Sequence, residues 1–115
     1  MRIIEIAPPY KITTAYHITT VPDAANIIHH GLTPHNGKIF LIPDIGNTKK
    51  LKDELGLVAR WMYAKTEDTD DALTLLRIDV SDIDLQYYDG WYISLTPIEP
   101  SRIRDLGDAV LSKYA

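Results

Sequence analysis

The stretch Ala15-Tyr16-His17-Ile18-Thr19-Thr20-Val21-Pro22-Asp23, continuing as Ala24-Ala25-Asn26-Ile27-Ile28-His29-His30-Gly31-Leu32, decides the fold. In Ala15–Thr19 the apolar Tyr16 and Ile18 alternate with His17 and Thr19, which reads as a strand with the two polar side chains on one face. Pro22 suits the first turn of a helix, where its missing N–H costs nothing. Asp23 sets negative charge beside the positive end of the helix dipole. Ala24, Ala25, Ile27 and Ile28 carry the helix, and Gly31 is a natural left-handed stop. Leu32 is expected to fold back as the apolar contact after the cap. His29 and His30 fall in the last turn, where the dipole favours a partly charged imidazole; as helical neighbours they point different ways and make a poor metal pair.

Working outward, Ile3, Ile4 and Ile6 form a short β-prone opening that Pro8-Pro9 ends. On the other side, Thr33-Pro34-His35-Asn36-Gly37 is a turn cluster, and Lys38-Ile39-Phe40-Leu41-Ile42 is a strand closed by Pro43-Asp44. Asn47 and Thr48 offer caps for a second helix, in which Leu51, Leu55, Val58 and Met62 share one face. Trp61 and Tyr63 extend it. Gly56 weakens that helix by about 1 kcal/mol relative to alanine, which points to close packing there. The acidic run Glu67-Asp68-Thr69-Asp70-Asp71 lacks the glycine and distal glutamate of a calcium loop and reads as solvated. Ala72–Val80 is rich enough in Leu, Ile and Val to be a central strand. Asp82–Leu85 is a turn, Asp89-Gly90 is a second turn, and Trp91–Leu95 is a strand. Pro97 and Pro100 bracket a connection to Ile103 and Leu106, and Asp108–Tyr114 reads as a short helix. Strands this short and clustered predict an α+β fold, a small twisted, mostly antiparallel sheet with two or three short helices, forming a single domain over 1–115.

The 115 residues carry 12 basic and 16 acidic side chains, a formal net charge of −4, which argues against strong duplex nucleic-acid binding through many phosphates and leaves a single nucleic-acid end or a pocketed nucleotide open. Lys49, Lys50 and Lys52 gather locally, but Asp53 and Glu54 follow at once, so a solvated helix end is the plain reading. No cysteine is present, so neither a disulfide framework nor a thiolate metal site exists. The opening residues are too soon charged for a signal peptide, and no apolar run approaches the roughly 18 residues that cross a bilayer. A cytoplasmic protein with no membrane partner is the expectation.

There is no phosphate-cradling glycine loop, nucleophile elbow or zinc-protease helix. Of the histidines at 17, 29, 30 and 35, His17 is the one in a predicted strand with a hydroxyl on the same face. Tyr16-His17-Ile18-Thr19, then Ala25 and Ile28, then Gly31-Leu32, then Gly37-Lys38-Ile39-Phe40-Leu41 resemble the first half of the ADP-ribosyltransferase-like fold. Tyr-His-Ile-Thr is similar to the strand of DNA-directed ADP-ribosyltransferase toxins, and RNA 2′-phosphotransferases share the frame. Ile98-Glu99-Pro100-Ser101-Arg102-Ile103 is similar to the run that often closes these domains.

The resemblance implies an NAD-dependent ADP-ribosyltransferase, a small toxin or phage effector. It would cleave the nicotinamide glycosidic bond and pass ADP-ribose to a macromolecular acceptor, with NAD as substrate. Under it, His17 hydrogen-bonds a ribose hydroxyl and Thr19 supports it. Phe40 or Tyr63 stacks on the nicotinamide, with Trp61 in the same helix segment. A carboxylate near the ribose stabilises the oxocarbenium ion. Many active members carry that carboxylate as a glutamate just before an aromatic residue in a late strand; here Trp91 takes the position, Asp89 is the nearest carboxylate, and Glu99 is the other candidate. The alternative is a degenerate member serving as a nucleotide-binding or protein-inhibitory module. A phosphoesterase built on His17-Ile18-Thr19 generally needs a second such element, and the chain has none.

Overall fold

Thr14–Thr20, strand β1, gives both faces of a sheet something to bury, and the rest of the chain assembles on either side of it. The computed structural model describes residues 11–66, 72–88, 91–108, 111 and 113. After β1 come α1 (Val21–His30), β2 (Ile39–Pro43), α2 (Thr48–Thr66), β3 (Leu73–Asp79), β4 (Gln86–Tyr88), β5 (Trp91–Ser94) and β6 (Ile103–Gly107), the last entered by a 3₁₀ turn, Pro100–Arg102. The strands form one sheet in the order β4-β5-β2-β1-β3-β6, and each neighbouring pair is antiparallel. This is the α+β, antiparallel class that the sequence predicts. The predicted strand at Ile3–Ile6, the acidic run at 67–71 and the Asp89-Gly90 turn lie outside the described residues, as does most of the predicted helix at 108–114.

Alternation along β1 separates two cores. Ala15 packs with Leu32, Ile39, Leu41, Ile78, Tyr92 and Ile98, and Ile27 of α1 rests against them. Ile18 packs on the other face with Ile42, Leu73 and Leu75 and with Leu51, Leu55 and Ala59 of α2. The two helices therefore cover opposite faces. Leu55, Leu75 and Leu76 are fully buried, and truncating such a leucine to alanine costs about 2–5 kcal/mol.

Local chemistry explains the ends of the elements. α1 begins one residue before the predicted Pro22, because the Thr20 hydroxyl accepts the Asp23 N–H at 3.3 Å and caps the helix. It ends where the Gly31 N–H donates to the Ile27 carbonyl at 2.7 Å. Gly31 has φ of 83°, and a Cβ built there runs into the Ile98 carbonyl oxygen, so the position excludes other residues on two counts. Leu32 and Ile98 then exchange two backbone hydrogen bonds of 2.9 Å, tying the helix exit to the chain beyond β5. Asn47 caps α2 by accepting the Lys50 N–H at 3.0 Å.

One interruption in the sheet matters for function. β1 pairs with β3 in unbroken register from Thr14↔Asp79 to Thr20↔Leu73. Its pairing with β2 is confined to Ala15↔Pro43 and Tyr16↔Ile42. Beyond Tyr16 the two central strands part, leaving β4-β5-β2 on one side of the gap and β1-β3-β6 on the other.

Candidate functional site at the parting of the central strands

His17 is the first residue of β1 past the last β1–β2 pair, and its ring enters the gap. Its Nδ1 lies 3.1 Å from the Phe40 carbonyl oxygen. A carbonyl only accepts, so Nδ1 carries the proton and donates, which makes Nε2 the acceptor of the ring. Desolvation in the gap lowers the His17 pKa, outweighing the hydrogen bond to Phe40, which acts to raise it. The imidazole is therefore neutral near pH 7. Among the described residues Nε2 has no hydrogen-bond partner.

A cavity of about 420 Å³ opens at this point, lined by His17, Phe40 and the segment between α1 and β2, including Thr33, His35, Asn36 and Lys38. That segment is shaped by a two-residue turn. Asn36 and Gly37 both have positive φ, at 53° and 80°, and His35 and Lys38 exchange backbone hydrogen bonds of 3.1 and 3.2 Å across it. The turn sets His35 and Lys38 side by side, with Lys38 two residues ahead of Phe40. In the sequence, 33–37 reads only as a turn; the polarity of a loop that leads directly into Phe40 is the signal that marks it as a site.

Of the sequence-predicted site residues, the structure brings His17 and Phe40 together. Phe40 is 41% exposed, and its ring meets that of Trp91 edge-on, with centroids 5.7 Å apart at 79°. Trp91, which takes the glutamate position of the resemblance, thus supports Phe40 from β5. Thr19 shares the His17 face of β1 but is buried opposite Thr74 and does not line the cavity. Trp61 and Tyr63 do not line it either. Two positions apart on α2, they point roughly 200° apart around the helix axis, so one pocket does not collect both. Trp61 is 57% exposed and carries the Lys65 ammonium 3.8 Å from its ring centroid. Asp89 lies outside the described residues. Glu99 is engaged by Arg102, whose Nε lies 3.1 Å from its carboxylate.

No group of three or more His, Cys, Asp or Glu side chains among the described residues is arranged to hold a metal ion. No helix among them is long and apolar enough to cross a membrane. In comparisons with known proteins, no family model matches the chain, and no curated protein or solved structure is significantly similar to it.

Proposed function

We propose that the cavity between β1 and β2 takes the nicotinamide-ribose end of NAD, and that the chain is an ADP-ribosyltransferase-like protein. The observation that carries this reading is the state of His17: a neutral ring, tied by Nδ1–H to the Phe40 carbonyl, with Nε2 left as an acceptor beside an exposed aromatic face. A ribose hydroxyl donates to Nε2, and the nicotinamide lies against Phe40, which Trp91 steadies. A cavity of about 420 Å³ falls in the range of small-molecule sites and suits the nucleoside half of the dinucleotide. In the reaction the bond between ribose C1′ and the nicotinamide nitrogen breaks, its electron pair leaves with the neutral base, and an acceptor nucleophile captures the oxocarbenium carbon. The acceptor's proton passes to a base, the role assigned here to Asp89.

One observation favours the second reading, a nucleotide-binding or inhibitory module without turnover. The cavity lining contains imidazoles, an amide and an ammonium but no carboxylate among the described residues. Incubating the protein with NAD labelled in the ADP-ribose part, together with protein, DNA and RNA acceptors, separates the two. Transfer or hydrolysis that is lost in His17→Ala and Asp89→Ala supports the enzyme. Thermal stabilisation by NAD with no turnover supports the module, and no response to NAD contradicts both.

A further inference from the structure

Helix α2 carries an apolar flank that the core covers only in part. Glu54, Leu57, Val58 and Trp61 stand three, four and seven positions along from the first of them, so they share one side of the helix. Leu57 is 61% exposed and Trp61 57%, whereas Leu51, Leu55 and Ala59 are buried on the sheet. Beside this flank β5 sets Trp91, which packs against the same α2-side core as Ile42 and Val58.

Between the helix and these strands lies a hollow of about 230 Å³, walled by Ile42, Leu57, Val58 and Trp91 and sharing no lining residue with the His17 cavity. Glu54 is the one ionisable side chain in its lining. Among the described residues no cation lies within ion-pair distance of the Glu54 carboxylate. Desolvation raises its pKa, and the charge of Lys50 one turn earlier, which lowers it, is the smaller influence. The other cation of the flank, Lys65, sits over the Trp61 ring. The hollow therefore holds a poorly solvated carboxylate among apolar walls, with an indole beside it.

Such a hollow suits a cation with an apolar surround. A guanidinium matches it in three ways: its planar fork fits a carboxylate, its face stacks on an indole, and it sheds water more readily than an ammonium. The volume lies below the roughly 300–1,000 Å³ of sites for free small molecules and suits one inserted side chain. Exposed Leu57 and Trp61 give a partner apolar area to cover, and arginine in a desolvated pocket is a frequent anchor of protein interfaces. We infer that this hollow is a docking site for an arginine side chain of a partner polypeptide, its guanidinium on Glu54 and against Trp91, with the partner's neighbouring apolar residues over Leu57 and Trp61. The inference stands independently of the NAD reading, because no residue of the hollow lines the His17 cavity.

The chain has two tryptophans, so in Trp61→Phe the emission comes from Trp91 and reports on the hollow. Fluorescence titration of the full chain carrying Trp61→Phe with the capped tripeptide acetyl-Leu-Arg-Leu-amide tests the inference. The expected result is a saturable change in emission. Adding Glu54→Gln weakens the affinity by about tenfold or more, the loss of one charge-assisted contact, and so does replacing the peptide's arginine with norleucine. Lys50→Gln, which removes a competing cation, binds the tripeptide at least as tightly as its parent, and His17→Ala binds it equally. Without peptide, Glu54→Gln melts at or above the parent temperature, because an unpaired and poorly solvated charge is gone; this also shows that the variant folds. No saturable response, equal affinity in the parent and Glu54→Gln, or equal affinity for the arginine and norleucine peptides overturns the inference. Tetramethylammonium binding more tightly than the tripeptide also overturns it, in favour of a free organic cation.

Discussion

At the scale of single residues, His17 combines a structural and a chemical task. Its Nδ1–H satisfies a β2 carbonyl at the place where the β1–β2 ladder has stopped, and its neutrality leaves Nε2 free to accept. Both tasks depend on pH in the same direction. The folded-state pKa lies below the ordinary 6.5, so in the acid range the unfolded chain takes up a proton that the folded ring resists. The stability contributed is complete above the unfolded value and is lost as the pH falls from there through the folded value. Thermal melts at about pH 7.5 and about pH 5.5 therefore show a larger acid loss for wild type than for His17→Gln; the other three histidines are common to both and cancel. An identical loss in the two proteins contradicts this account of the ring. His17 was legible in the sequence because a period of two places it across from Tyr16 and Ile18. The inward position of Thr19 was not, because burial opposite Thr74 is set by a strand more than fifty residues away along the chain.

At the scale of elements, the helices were more legible than the sheet edges. α1 has a cap at one end and a glycine stop at the other, and α2 has four core residues at helical spacing; each signal repeats over several residues. β4 is three residues long, and β6 contains Arg104 and Asp105, so neither carries an apolar run long enough to announce a strand. The predicted connection through Ile103 and Leu106 is β6 itself. The resemblance sets Trp61 and Tyr63 in one pocket-lining segment, but helical geometry turns the two rings apart. Gly31 offers the sharpest test at this scale. Gly31→Ala meets both a positive φ and the Ile98 carbonyl, and urea unfolding is expected to show a loss of about 2 kcal/mol or more. A variant as stable as wild type contradicts the described helix exit.

At the scale of the whole molecule, the fold is two half-sheets joined at two residue pairs, with one helix layer on each face. The continuous β1–β3 ladder runs the whole length of β1, and the gap on the other side of β1 accommodates the polar His17 side chain. Amide exchange is expected to reflect this, with Leu75, Leu76 and Ile78 of β3 at least roughly tenfold slower than the amides of β4. Uniform protection across the sheet contradicts the division. The parting also makes the central claim measurable, since removing the imidazole alone empties the gap of its acceptor while the two cores stay intact. Calorimetric titration of NAD into wild type and His17→Ala at about pH 7.5 tests it most directly. The account predicts saturable one-to-one binding to wild type, weakened by about tenfold or more in the variant, the loss of one well-placed polar contact in a partly desolvated site. Equal affinity in the two proteins, or no binding to wild type, contradicts it.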